Sequence, residues 1–136
     1  MMIIGFTGSR YGMSQHQQAA LIDLLAVSLP DEAHHGMCIG ADAQFHELIR
    51  KLYPKCRIIG HPPVNESRMA KIKCDALWQP DNYLTRDRHI VHQVGALIAT
   101  PSTFNPTPYS GTWYTVQYAL SLDIPVYVIK PDGNVT

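Results

Sequence analysis

Three short stretches of this chain have the make-up of an anion pocket: Gly8-Ser9-Arg10, Gly40-Ala41-Asp42 and Ser110-Gly111-Thr112. Each follows a short apolar run and leads into a helix-like pattern. At the carboxyl end of a parallel strand, such a turn presents backbone N–H groups and a helix N-terminus, and both attract negative charge. Glycine allows close backbone approach to a ligand, and the hydroxyls of Thr7, Ser9, Ser110 and Thr112 can bond its oxygens. Arg10, Arg86 and Arg88 supply cations, and a guanidinium suits phosphate because its planar fork donates two parallel bonds. The expected chemistry is binding of a phosphate-bearing molecule in one crevice that the three turns share.

A sheet must hold those turns. Met2 to Phe6 reads as a first strand, and Ser14 with Gln17 offers a capping box for a helix over about residues 14 to 28. Gly36 to Ile39 reads as a second strand. Phe45, Leu48, Ile49 and Leu52 recur at helical spacing until Pro54 stops them. Arg57 to Gly60 is a third strand, and the polar segment over 61–81 receives no element. Asn82 caps a helix through Arg86, Ile90, Val91 and Val94, and Ala96 to Ala99 follows as a fourth strand. After a proline-rich loop from Pro101 to Tyr109, a last helix turns Trp113, Val116 and Leu120 inward, and Pro125 to Ile129 closes the sheet. Strands that are apolar throughout and alternate with helices predict an α/β fold with a doubly wound, mainly parallel, Rossmann-like sheet in a single domain over 1–136.

The 136 residues are 46% hydrophobic and 16% charged, a globular balance. Eleven basic side chains cancel 11 acidic ones, which argues against nonspecific nucleic-acid binding, a function that usually rests on a basic excess. Cys38, Cys56 and Cys74 form no C-x-x-C pair and read as free thiols, with Cys38 and Cys56 expected in buried strands. The seven histidines include the adjacent His34 and His35, and His89 with His92, but no acidic or cysteine ligand stands at a supporting spacing. No metal is expected. G-x-G-x-x-G and P-loop signatures are absent, so no nicotinamide or other cofactor is expected. Neither a membrane-length apolar run nor a basic leader precedes the first strand, and the expected location is cytoplasmic.

Taken in order, Gly5-Phe6-Thr7-Gly8-Ser9-Arg10, His35 to Asp42, Arg86-Asp87-Arg88-His89-Ile90-Val91, Ala99-Thr100-Pro101 and Ser110-Gly111-Thr112 resemble the SLOG superfamily over roughly residues 2 to 130. That superfamily groups Rossmann-like nucleotide-ligand binders with the Lonely Guy phosphoribohydrolases and the DNA-uptake processing proteins. The resemblance implies a nucleotide or nucleotide-derived ligand, a homo-oligomer, and phosphate held at Gly8, Gly40 and Gly111 with Arg10 or Arg86. Ser9, Ala41, Asp42, Pro101, Ser110 and Thr112 complete the expected ligand set, and Tyr109 is the aromatic best placed to stack on a base.

The Lonely Guy signature P-G-G-x-G-T-x-x-E is broken here. A loop separates Pro101 from Gly111-Thr112, and Thr115 stands where the glutamate would be. Arg86 falls at the arginine position. Keeping the cation without the acid implies binding without that hydrolysis. An N-glycosidase or phosphoribohydrolase acting on nucleoside monophosphates is the alternative, with Arg86 and Asp42 as catalytic candidates. Nucleic-acid binding is a further alternative, which neutral charge disfavours. Against these stand plainer readings: Arg86 and Arg88 with Asp87 as a solvated helix face, and Asp42 as an early-turn carboxylate favoured by the helix dipole.

Overall fold

The computed structural model describes residues 1–136. Its six strands are β1 (Ile3–Gly8), β2 (Glu32–His35), β3 (Arg57–Gly60), β4 (Ala76–Leu77), β5 (Ala96–Thr100) and β6 (Val126–Val128). They form one parallel sheet in the order β4-β3-β2-β1-β5-β6. The helices are α1 (Gln15–Ser28), α2 (Ala41–Leu52), α3 (Tyr83–Gln93) and α4 (Gly111–Ser121). The chain starts in the middle of the sheet, winds outward to β4, then returns to lay β5 against the other side of β1. The β1–β5 pair, in register from Ile4↔Ala96 to Gly8↔Thr100, is therefore the switch point. Connections leave its two carboxyl ends in opposite directions, and a crevice opens between them.

Strand β5 shows why the strands read as apolar throughout. Ile98 joins Ile4, Phe6, Leu21, Leu25, Phe45 and Ile49 on the face covered by α1 and α2. Its neighbours Leu97 and Ala99 point the other way, to Val91, Trp113, Val116 and Ala119 of α3 and α4. The Phe6 and Phe45 rings stack at 4.3 Å between centroids, and truncating Phe45 to alanine would cost about 3–5 kcal/mol.

The capping box of α1 forms as read: Ser14 Oγ accepts from Gln17 N, and Gln17 Oε1 accepts from Ser14 N, both at 3.0 Å. Gln17 then spends its amide on Pro101 O (2.7 Å) and Ile129 O (2.9 Å), fastening α1 to the ends of two strands. No helix is long and apolar enough to cross a membrane.

Three expectations are corrected. The second strand is Glu32–His35, four residues before the apolar run at Gly36 to Ile39, which forms the following turn. Its buried His34 and His35 do the work of apolar residues because their ring nitrogens are paired with neighbours. Cys38 consequently lies in a loop and is half-buried, and the buried Cys56 lies in the turn before β3. Leu120 faces solvent, and Ala119 takes the inward position. Within the unassigned 61–81 stretch the chain makes a 3-10 turn at Glu66–Arg68 and the two-residue strand β4.

Candidate functional site

A cleft of about 710 Å³ opens at the carboxyl edge of the sheet over the switch point. Gly8, Ser9 and Arg10 line it from β1, Asp42 from α2, Arg86 and Asp87 from α3, and Tyr109, Ser110, Gly111 and Thr112 from α4 and the loop before it. Gly40, Ala41 and Pro101 are not among its lining residues.

The three turns are built differently. A Cβ on Gly8 would lie 2.5 Å from Ala41 Cβ and 2.4 Å from Thr100 Oγ1, so that glycine lets β1, β5 and α2 close together. Gly40 has φ +86°, and a Cβ there would meet the Arg10 carbonyl at 2.2 Å. The N–H groups of these corners also have partners: Ser9 N donates to Thr100 O (3.2 Å) and Ala41 N to Ser9 O (2.9 Å). At the third turn Ser110 Oγ caps Trp113 N at 3.2 Å, which leaves the N–H groups of Gly111 and Thr112 free. The nearest atom to a Cβ on Gly111 would be Asp87 Oδ2, 3.9 Å away.

Arg86 and Asp87 are each 6% exposed and form an ion pair, Nε to Oδ1, at 2.9 Å. The Arg86 guanidinium also donates to Gly36 O at 2.5 Å and His61 O at 3.4 Å, and it lies 3.7 Å from Cys38 Sγ. Arg86 therefore ties α3 to the ends of β2 and β3, with little donor capacity left over for a phosphate. Arg88 is exposed and is not among the lining residues, but it donates at 2.6 Å to Oη of Tyr114, which does line the cleft. The exposed cations that do line the cleft are Arg10 and Arg68.

Two carboxyls flank Arg86. Asp42 Oδ2 accepts from Cys38 N at 3.1 Å, so Asp42 clamps the β2–α2 turn. Thr115 Oγ1 lies within reach of the Asp87 carboxylate, whose ionisation it favours, and of Gly111 O at 2.8 Å. Burial pushes both carboxyls up to about 6, and the Arg86 charge keeps them from going higher. Burial works to lower the Arg86 pKa, but the charges of Asp87, Cys38 and Asp42 outweigh it and the pKa rises. Burial likewise takes the Cys38 thiol up to about 11, so it is not a ready nucleophile.

Asp87 is the functional candidate that sequence reasoning passed over. Standing beside two arginines, it read as part of a solvated helix face. Only the fold reveals that it is buried next to Thr115, the position without its expected glutamate.

A second cluster brings His35, His46 and Cys74 ligand atoms within 4.8 Å of one another, with Cys74 coming from far along the chain. Met37 N donates to His35 Nδ1 at 3.0 Å, so the neutral ring carries its proton on Nε2 and gives it to His46 Nδ1, 3.0 Å away. A metal on that Nε2 would force a proton onto Nδ1 against the Met37 N–H, the reverse of the usual arrangement around a metal-bound imidazole. The rings satisfy each other as a neutral pair.

No family model and no curated protein matches the sequence. Solved structures do match. The molybdenum cofactor binding protein of Rippkaea orientalis superposes with TM-score 0.72 at 20% identity, over 95% of this chain and 76% of that one. The structural-genomics target TM1055 gives 0.68 at 15%, over 93% and 72%. DNA processing protein A of Helicobacter pylori, characterised for its single-stranded DNA binding, gives 0.58 at 15%, over 93% of this chain and 64% of that one. The fold is an all-parallel, Rossmann-like α/β sheet. All three solved structures share that fold with this chain.

Proposed function

We propose that the cleft binds a nucleotide or nucleotide-derived small molecule, with the phosphate on the N–H groups of Gly111 and Thr112 and beside Arg10. One observation carries this reading: the open first turn of α4 aims two unpartnered N–H groups, and the positive end of the helix dipole, into a cleft of about 710 Å³. That volume suits a mononucleotide-sized ligand. Tyr109, fully exposed at the mouth, offers a face for a base. Among the fold neighbours one is a molybdenum cofactor binding protein and another binds single-stranded DNA. The balance of 11 basic and 11 acidic side chains favours the small ligand here. Calorimetric titration with a panel of nucleoside 5′-monophosphates tests the proposal. Saturable binding by at least one member, lost when the phosphate is removed, is the expected result, and silence across the panel rejects it.

Hydrolysis of an N-glycosidic bond is the second reading, favoured by the Asp87 carboxyl held at about 6 in the cleft. Release of free base from the same panel, followed by chromatography and abolished in Asp87→Asn, would establish it. Binding with no base released by any member would remove it.

A further inference from the structure

On the outer face of the α3–α4 pair, four side chains are locked together in the open. Arg88 Nε donates to Tyr114 Oη at 2.6 Å, and His92 Nε2 pairs with Tyr118 Oη at 2.6 Å. The two tyrosine rings run parallel within 8°, and Arg88 Cζ lies over both, 5.9 Å from the Tyr114 centroid and 5.6 Å from that of Tyr118. Spacing builds this ladder: Leu84, Arg88 and His92 recur every fourth residue on α3, and Tyr114 and Tyr118 do so on α4.

No charge within the chain answers this arrangement. Arg50, Arg57 and Arg86 each meet a carboxylate, whereas Arg88 meets none. Its Nε is engaged by a tyrosine, and its Nη1 and Nη2 form no hydrogen bond within the chain. Tyr114 Oη accepts from Arg88, so its own proton is left to donate. Asp87 is the sole carboxylate on either helix, and it is buried against Arg86. The face thus presents donors and a permanent positive charge with no acid beside them. Its side chains are already held in one arrangement, which removes much of the ordering cost of an interface, and tyrosine and arginine are the residues that anchor interfaces.

We infer that this face docks an acidic segment of a protein partner, with an Asp or Glu carboxylate on the Nη1–Nη2 end of Arg88 and on the Tyr114 hydroxyl, and apolar partner side chains against the exposed Leu84. A guanidinium takes a carboxylate through two parallel bonds, and the open end of Arg88 provides them. A second copy of this chain fits less well. Two-fold pairing of this face would set Arg88 and His92 against their own copies with no carboxylate between them. A nucleic-acid backbone calls for a run of cations, and the face carries one permanent cation.

The test is titration of the isotopically labelled full chain, followed by amide chemical shifts, with a synthetic peptide of glutamate and leucine and with the same peptide carrying glutamine for glutamate. The glutamate peptide is expected to shift residues 84–92 and 114–121 saturably, and the glutamine peptide to bind about tenfold or more weakly. Arg88→Gln is expected to lose that difference. Arg88→Lys should not restore it, because an ammonium keeps the charge but neither the fork nor the contact with two rings. Thermal unfolding checks that both variants are folded. Absence of saturable shifts on this face, equal binding of the two peptides, or an unchanged preference in Arg88→Gln would overturn the proposal. Self-association of the wild-type chain in sedimentation, abolished by Tyr118→Ala, would overturn it too, by showing that a second copy covers the face.

Discussion

The corner formed by Gly8 and Gly40 and the turn at Gly111 share one sequence signature, a glycine between an apolar run and a helix, yet they solve different physical problems. At the first, glycine lets backbone meet backbone: added Cβ atoms would lie 2.5 Å from Ala41 and 2.2 Å from the Arg10 carbonyl. At the second, nothing lies within 3.9 Å, and the space belongs to the cleft. Both kinds of glycine occur where strands end, because that is where helices pack close and where ligands enter. A glycine motif therefore marks close approach, and only the surroundings say whether a neighbour or a ligand does the approaching.

Arg86→Ala gives the largest expected effect, and it acts on the closed side. The substitution leaves Asp87 buried without its partner and orphans the carbonyl of Gly36, a destabilisation of about 3–5 kcal/mol. Chemical denaturation would measure it. A variant that folded normally and lost only ligand affinity would return Arg86 to the role its motif suggests, as a phosphate clamp.

Gly40→Ala should follow at about 3 kcal/mol, combining overpacking against the Arg10 carbonyl with a left-handed backbone that alanine resists. Wild-type stability in this variant would mean that the corner can open. The contrast with Gly111 would then disappear.

Acid should also loosen the closed side. Burial first, and then neighbouring charges, hold His35 and His61 down at about 3, and burial lowers His34 and His46 as well. The unfolded chain takes up these protons below about 6.5, so the stability they confer is present above 6.5 and is lost as pH falls toward 3. Asp42 and Asp87 act in the opposite sense: raised to about 6, they favour the native state as pH falls from there toward 3.8. The two histidines held at about 3 outweigh the two carboxyls raised to about 6, for a net loss on the order of 1 kcal/mol between pH 7 and pH 5, and the lowered His34 and His46 act in the same direction. Thermal unfolding at those two values, with hydrogen exchange showing 34–46 loosening before 111–121, would locate the effect. An unfolding temperature that rises on acidification would contradict the neutral, paired imidazoles.

The parts of this molecule legible in sequence are those governed by local rules. Ser14 and Gln17 cap α1, Asn82 caps α3 by accepting from Thr85 N at 2.9 Å, and the spacing of Phe45 and Ile49 gives α2. What escaped depends on partners distant in the chain. Glu32–His35 has no strand-like pattern, because its histidines become buried only by bonding His61 and His46. Strand β4, two residues long, exists only because β3 is beside it. At the site, the positions of Gly111, Thr112 and Arg10 in the cleft followed from turn chemistry. The engagement of Arg86 by the carbonyls of residues 36 and 61, and the burial of Asp87 that follows from it, were not visible to any reading of neighbours in sequence.

The smallest expected stability change provides the sharpest test of the comparison. Gly111→Ala places a methyl where the nearest atom is Asp87 Oδ2 at 3.9 Å, at the first position of a helix, so the fold should be unaffected within about 0.5 kcal/mol. That methyl also occupies space beside the N–H groups of the first turn of α4, where the phosphate is proposed to sit. Ligand affinity should therefore fall about tenfold or more while the unfolding temperature hardly moves, the inverse of the pattern for Gly40→Ala. Stability and affinity measured on both variants give a two-by-two outcome. If Gly111→Ala binds like wild type, the open turn is not the phosphate seat, whatever the closed corner does.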